Sequence, residues 1–309
     1  MRIGIGVGSF GGGDAGVDAQ IEQTIIAEAD GFESVWFTHS RGADSLITLS
    51  LAGQATSAIE LITGVIPVYS REPLLMAQQA LTAQHIVGGR LTLGLGLAHP
   101  EFVPKVWNHS YDRPAQFMEE YLSVLLPLLN KGAVEFEGHM ISTNASLEMT
   151  GIEPPSVVLA ALGPRMLKLA AELTDGTFLW ATGPKTIESH IAPKLAATAH
   201  KPGGSAARII AAIPICVTDH PSEAREAIAK KFSRYASMVN YRRVLDIEGV
   251  DGLDGIAVIG NEDQAEEQIR RISASGATDF FAAPVPLERN DDLSLRRTRS
   301  FLASLVGTI

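Results

Sequence analysis

Eight short apolar runs, each followed by a stretch with helical spacing, constrain this 309-residue chain more than any single motif. The runs are Ile3–Val7, Ser34–Phe37, Leu61–Pro67, Leu91–Leu95, Val157–Ala161, Thr177–Trp180, Ile209–Val217 and Asp279–Ala283. Gly, Pro or Asp punctuates most of their ends. Between them apolar residues recur at helical intervals. Ile21, Ile25, Ile26 and Ala29 precede Gly31, and Leu46, Leu49 and Leu51 follow a potential cap at Asp44. Leu74–Val87 stops at Gly88–Gly89. Further helices are expected over Pro164–Leu173, near Ile187–Ala199, over Ser222–Val239 and Asp263–Ser275, and near Leu295–Leu305. Repeated βα units demand parallel strands with right-handed crossovers. The pattern predicts an α/β fold, a closed (β/α)8 TIM barrel over residues 1–309 as one domain, with insertion loops at its C-terminal face. An open doubly wound sheet is the alternative.

Two segments interrupt the alternation. His99–Arg113 has no period and holds Pro100, Pro104, Trp107, Asn108 and Tyr111, so it reads as a lid or binding loop. Pro114 then opens a helix through Met118, Tyr121, Leu125 and Leu129, and Val134–Ile141 reads as a side hairpin or extended excursion.

Composition narrows the function class. Apolar residues make up 46% and charged residues 19%, which favours a large core over disorder. A net charge of −10 argues against nucleic acid or an anionic membrane as the main partner. No run approaches the roughly 20 apolar residues of a membrane span. The start, Arg2 with glycines alternating into Gly11–Gly12–Gly13, has no signal-peptide pattern, so a cytoplasmic protein is expected. Cys216, the single cysteine, lies in the apolar run Ile213–Val217, which predicts core packing rather than a nucleophile. No His-x-x-x-His pair or Cys cluster suggests a metal, and no Gly-x-Ser-x-Gly suggests a serine hydrolase.

Ligands of such barrels meet the C-terminal ends of the strands. That directs attention to Thr38–His39, Gly64–Ser70, Gly96–His99 (with Leu97 and Ala98), Ala161–Arg165 and Ala181–Gly183. His39 and His99 end the second and fourth strands, where either can donate or accept a proton near neutral pH or serve a purely structural purpose. Ala161-Leu162-Gly163-Pro164-Arg165 leaves a strand and opens a helix. Free N–H groups, a glycine that admits close approach and an arginine make an anion site, with an ordinary capped helix as the alternative. The loop Val65–Pro73, with two prolines, Tyr69 and an Arg71–Glu72 pair, suits the wall of a planar-ligand site or a rigid surface loop. Gly6-x-Gly8-x-x-Gly11 matches the dinucleotide fingerprint only formally, because Gly12, Gly13, Asp14 and Gly16 delay the helix.

Several segments together resemble the luciferase-like monooxygenase superfamily over nearly the whole chain. They are Gly64-Val65-Ile66-Pro67 through Arg71-Glu72-Pro73, Leu74–Gln84, and Gly88-Gly89-Arg90 through Gly96. Val158–Pro164 with Leu169 through Gly176, Gly276-Ala277-Thr278-Asp279-Phe280, and Tyr111-Asp112-Arg113-Pro114 with Glu119, Glu120, Tyr121 and Leu122 extend the likeness. The compact length, the Gly-rich first loop, Ala160–Pro164 and Thr182-Gly183-Pro184 are similar to an actinobacterial group that uses coenzyme F420. The resemblance implies a hydride-transferring enzyme with a small organic substrate, and a homodimer, members of the superfamily being commonly dimers. It implies a deazaflavin ring across the barrel mouth, on a bulge with a non-proline cis peptide at Gly64–Val65 beside Ile66. It also implies a phosphate on Gly163 and the helix behind it. The dehydrogenase relatives carry an acidic residue or an Asp–His pair after strand two, where this chain has Thr38–His39. The sugar-phosphate relatives have a glutamate after strand four, where this chain has His99 with Glu101 nearby, so a sugar-phosphate substrate is not expected. His39 is the first candidate for proton transfer and His99 the second. An FMN-dependent monooxygenase of the same fold and a non-catalytic flavin-binding barrel are the rival readings. The substrate pocket is expected from Gly11–Gly16, His99–Arg113 and the loop around Tyr235–Asp254.

Overall fold

A computed structural model of the chain describes residues 1–10, 15–39, 41–149, 151–197, 206–288 and 291–309. The expected loop residues Gly11–Asp14 and the end of the helix expected near Ile187–Ala199 lie outside the described residues.

Twelve strands and twelve helices occur in chain order among the described residues: β1 Arg2–Val7, α1 Val17–Ala29, β2 Ser34–Phe37, α2 Ser45–Gln54, β3 Glu60–Thr63, β4 Ile66–Pro67, α3 Pro73–Ile86, β5 Leu91–Gly96, α4 Val103–Trp107 and α5 Pro114–Lys131. The hairpin β6 Ala133–Glu137 and β7 Ser142–Ser146 follows, then β8 Ser156–Ala160, α6 Pro164–Leu173, β9 Gly176–Trp180, α7 Pro184–Thr186 and α8 Ala192–Ala196. The remainder is β10 Arg208–Val217, α9 Pro221–Phe232, α10 Val239–Glu248, β11 Val258–Gly260, α11 Glu262–Ala274, β12 Asp279–Pro284 and α12 Asp292–Leu305.

Eight parallel strands close a ring in the order β1-β2-β3-β5-β8-β9-β10-β12 and back to β1, with helices outside. This is the expected (β/α)8 barrel, and the open sheet is excluded by the β1–β12 pairing. The glycines of β1 make room for the lumen. A Cβ on Gly4 would stand 2.6 Å from Trp36 Nε1, and one on Gly6 would stand 2.8 Å from the Phe281 ring. Trp36 and Phe281 stack at 4.9 Å with Phe178 beside them, filling the barrel as a core and not a pore. Gly6 therefore belongs to packing, and the dinucleotide reading of the first loop gains nothing from it.

The N-terminal end of the barrel is closed by charge. Arg208 contacts Glu60 at 2.7 Å and Asp279 at 2.6 Å, and Arg2 contacts Glu60 at 2.6 Å. These residues open their strands, so the pairs sit opposite the mouth. Cys216 is buried in β10, and burial pushes its thiol up to about 11, as core packing requires.

Four expectations need correction. The third strand is not continuous over Leu61–Pro67 but breaks after Thr63. The helix expected over Ser222–Val239 ends at Phe232, and a 3-10 turn and an extended Met238 separate it from α10. The helix near Ile187 is divided by a π turn over Ile187–Ile191. Pro193, which lacks an amide donor, follows one residue later, after Ala192. The strand Val258–Gly260 was not expected; it pairs with the outer half of the ten-residue β10. The irregular His99–Arg113 also holds the short α4. No helix among the described residues is long and apolar enough to cross a membrane.

Candidate active site at the barrel mouth

His39, Gly64–Val65–Ile66, Gly96–His99 and Ala161–Arg165 follow β2, β3, β5 and β8, which are consecutive neighbours in the ring. The candidate residues therefore line one continuous arc of the mouth.

The bulge after β3 is built by its neighbours on β5. Leu61 and Ile62 pair with Leu91 and Thr92, after which the ladder fails. The Thr63 hydroxyl replaces it, donating to the Gly94 carbonyl at 3.0 Å and accepting from the Gly94 amide at 2.8 Å. Pairing resumes with Ile66 opposite Leu95. The displaced pair is Gly64–Val65, and its peptide bond is cis, as the family resemblance implied. A Cβ on Gly94 would stand 2.0 Å from the Thr63 carbonyl oxygen, and one on Gly96 would stand 2.7 Å from Val65 Cγ2. The alternating glycines of β5 are thus the space the bulge occupies. Beyond β5, Leu97 is half-buried against the core, and Ala98 adopts a left-handed φ of 56° while its carbonyl accepts from the Tyr111 hydroxyl. Ala181, after β9, has the same φ. Non-glycine residues rarely sit there, and both occur where strands turn into the mouth.

His39 is half-buried beside Thr38, and its Nδ1 meets Ser45 at the start of α2. Because the Ser45 amide can only donate, Nδ1 accepts and the neutral ring carries its proton on Nε2. Asp44 caps the same helix turn through the amides of Leu46 and Ile47, and it also pairs with Arg71. Arg71 thus pairs with Asp44, correcting the expected Arg71–Glu72 pair. Its side chain is 9% exposed, and its second terminal nitrogen is buried without a partner. Burial, then the Arg71 charge, hold the His39 pKa below its ordinary value.

His99 packs among the rings of Phe102, Tyr235 and Tyr241, and burial lowers its pKa as well. Its carbonyl starts the α4 turn by accepting from Phe102 and Val103. Across the mouth, Trp180 meets Phe10 at 4.7 Å and Phe232 at 5.3 Å, and its buried indole nitrogen has no partner. This aromatic wall draws on segments far apart in sequence: Phe102, Tyr235 and Tyr241 lie in segments expected to build the pocket, whereas Phe10, Trp180 and Phe232 were not anticipated.

Ala161 is buried, and the Leu162 carbonyl lies 3.4 Å from His190 Nε2. Gly163 then caps α6, with Pro164 as the first helical residue. Its φ of −87° suits any residue, and a Cβ there would meet only Arg243 Nη1, at 3.8 Å. Neither backbone nor packing calls for glycine at this position. What it leaves is open space in front of the free amides of a helix N-terminus, with Arg165 exposed alongside. A phosphate group fits that space. Arg243 lies in the Tyr235–Asp254 segment expected to line the substrate pocket, but its place beside the Gly163 turn was not anticipated.

The luciferase-like monooxygenase family model matches residues 1–279. The chain is 31% identical over 245 residues to the 5,10-methylenetetrahydromethanopterin reductase of Methanopyrus kandleri, covering 73% of this chain and 70% of that protein. It is 28% identical over 199 residues to Rv3520c of Mycobacterium tuberculosis, a candidate coenzyme F420-dependent oxidoreductase, covering 57% and 54%. The fold is similar to that of an F420-dependent secondary alcohol dehydrogenase in complex with an F420–acetone adduct, with a TM-score of 0.76 at 19% identity, covering 97% of each chain.

Proposed function

The chain belongs to the luciferase-like monooxygenase family, and from that premise we propose that it is an oxidoreductase exchanging a hydride between coenzyme F420 and a small organic substrate. The preference for F420 over FMN draws on the names of its sequence relatives. The observation that supports a phosphate-bearing cofactor is the Gly163 turn, where neither φ nor packing requires a glycine and the first amides of α6 face open space.

When bound, the reduced deazaflavin supplies a hydride from a ring carbon. The chain's own groups do the rest. Gly64, Val65 and Ile66 support the ring at the mouth, with Gly96, Leu97 and Ala98 beside them. The Gly163 turn and the first amides of α6 receive the phosphate, with Arg165 adding charge. His39 acts on the substrate oxygen through its Nε2–H, held in register by the Ser45 contact. A neutral imidazole fixed by a helix N-terminus is a hydrogen-bond donor that strengthens as negative charge develops on its acceptor. His99 and the aromatic wall exclude water from the other side.

The active form is proposed to be a homodimer. Ile47, Leu51 and Ile86 stand exposed in a groove between α2 and α3 whose other lining is mostly uncharged, including Ser50, Gln54 and Thr82. In a chain of net charge −10, a neutral apolar face is where a second copy meets least repulsion. Anaerobic reoxidation of reduced F420 against a panel of ketones, imines and alkenes tests the enzyme reading. Substrate-dependent turnover is expected; tight binding without turnover on any of them would favour a carrier.

A further inference from the structure

Trp180 ends β9 with a donor that no described residue takes up. The side chain is 7% exposed, and its indole nitrogen is buried without a partner. Trp36 shows how the chain treats the same group elsewhere. That indole, fully buried in the lumen, donates to the Ser34 hydroxyl at 3.1 Å. A buried donor left without an acceptor is destabilising and rare in native chains, so the Trp180 N–H points to a partner from outside.

Its place in the barrel says where that partner lies. Phe178 and Trp180 are two residues apart on β9 and share one face of the strand. Phe178 meets Trp36 of β2 across the lumen at 5.4 Å, and a Cβ on Gly64 would stand 3.2 Å from Trp36 and 3.5 Å from Phe178. Trp36 and Phe178 thus floor the mouth beneath the Gly64–Val65 bulge, and Trp180 stands one step further out. In the ring of eight strands β2 and β9 are four places apart, directly opposite one another. His39 follows β2 and Trp180 ends β9, so the Nε2–H of the proposed function has a second N–H donor across the mouth from it.

The surroundings define the ligand. Phe10, Phe232 and Tyr235 stand around the Trp180 ring at 4.7, 5.3 and 6.0 Å, and Tyr241 stands edge-on to Tyr235 at 4.9 Å. These contacts bring rings to the indole, not charges. The cations of this wall, Lys231 at 5.5 Å from the Phe232 ring and Arg234 at 5.4 Å from the Tyr235 ring, are exposed. An indole N–H only donates, so its partner is an acceptor. A charged group would lose its hydration there without a counter-charge, whereas a flat apolar frame packs on the rings. Phe10 and Tyr235 are only half-buried, so part of the indole's cover is side chains at the solvent edge, which a ligand can displace.

We propose that Trp180 is a specificity-determining residue whose indole N–H takes the second acceptor oxygen of a flat, uncharged substrate, an aromatic or conjugated carbonyl compound whose carbonyl oxygen meets His39 on the opposite side. The proposal rests on the F420 reading above and names the substrate class for it.

Two ketones of the same shape test it: para-methoxyacetophenone, and para-ethylacetophenone with a methylene in place of the ether oxygen. Each is titrated into the F420-bound chain and into the cofactor-free chain, and binding is followed through the indole N–H resonances of the three tryptophans. Trp180→Phe assigns the Trp180 signal; should that variant not fold, Trp36→Phe and Trp107→Phe assign it by elimination. The methoxy ketone should bind the wild type about fivefold more tightly and move the Trp180 resonance downfield, while the ethyl ketone leaves it nearly in place. In Trp180→Phe the fivefold preference should vanish, with affinity for the ethyl ketone within twofold of wild type. Equal affinities in the wild type, a preference that survives Trp180→Phe, a loss shared by both ketones, or failure of both to bind the F420-bound chain overturns the proposal. Failure of F420 to bind is a separate result. It would fell the F420 reading, and the cofactor-free titration would then decide the donor: a downfield shift with the methoxy ketone keeps it, and no shift overturns it.

Discussion

His39 Nδ1 lies 3.0 Å from the Ser45 hydroxyl oxygen and 3.3 Å from the Ser45 amide nitrogen, so the ring that ends β2 is fixed to the first turn of α2. One nitrogen holds the helix, which under the proposed function leaves the other for the substrate. Protonating Nδ1 would cost the Ser45 amide its acceptor, so the proposed role of the ring belongs to its neutral form.

His39→Ala should therefore reduce turnover by about 100-fold while F420 affinity stays within roughly tenfold. Asp44 still caps α2 in the variant, so melting should fall by only a few degrees. The wild-type rate should decline on the acid side as the ring protonates, and the variant should lack that limb. Single-turnover hydride transfer on folded protein, followed across pH, is the check. An unchanged rate and profile would remove His39 from the chemistry.

Stability should also depend on pH through burial. His39, His99 and His190 all have pKa values held below the ordinary 6.5, in each case first by burial. The unfolded chain then binds protons at these sites more readily than the folded one. Their contribution is complete above about pH 6.5 and is lost as pH falls through the lower folded values. Melting temperature should drop across that window, separately from any carboxylate effect below about pH 4.5, and His190→Gln should flatten the slope. A level melting curve from pH 7 to 5 would contradict the burial of these rings.

Gly163 offers a contrast between two substitutions. Gly163→Ala should fold normally, because φ is −87° and the nearest atom to its Cβ is 3.8 Å away. Gly163→Asp should also fold but weaken F420 by about 30-fold or more, since a carboxylate would occupy the phosphate's place with like charge. Thermal melts with fluorescence titrations separate the two effects. Equal F420 affinity in the aspartate variant would move the phosphate elsewhere.

The eight-unit alternation was legible because each barrel strand is buried on both faces and reads as an apolar run of its own. The break after Thr63 was legible only through the family resemblance, because Leu61–Pro67, with Thr63 and Gly64 inside it, reads by itself as one strand. Its signature lies on the partner strand, in Gly94 and Gly96, whose missing side chains make sense only once β5 is known to face Thr63 and Val65. His39 and His99 were readable as strand-end residues. The contact with Ser45 was not, and Tyr235 and Tyr241 were readable only as part of an irregular pocket loop, since turn and helix contacts leave no periodic trace. The proximity of Arg243 to Gly163 was hidden for the same reason, since it joins two elements far apart in sequence.

The charged closure at the other end should govern stability alone. Arg208→Met would strip Glu60 and Asp279 of their main counter-charge, leaving only Arg2, in a place where Asp279 is 3% exposed. Uncompensated buried carboxylates should cost about 3 kcal/mol in denaturant unfolding. F420 affinity should stay within twofold, because this cluster lies at the opposite end of the strands. A variant as stable as wild type would mean that the network is not what closes the barrel.

The most direct test of the account is a pair of equilibrium titrations of the purified chain with F420 and with FMN under the same conditions, read by fluorescence. The account predicts saturable F420 binding at least tenfold tighter than FMN, weakened by Gly163→Asp. FMN binding equal to or tighter than F420 would contradict it and assign the chain to flavin chemistry on the same barrel.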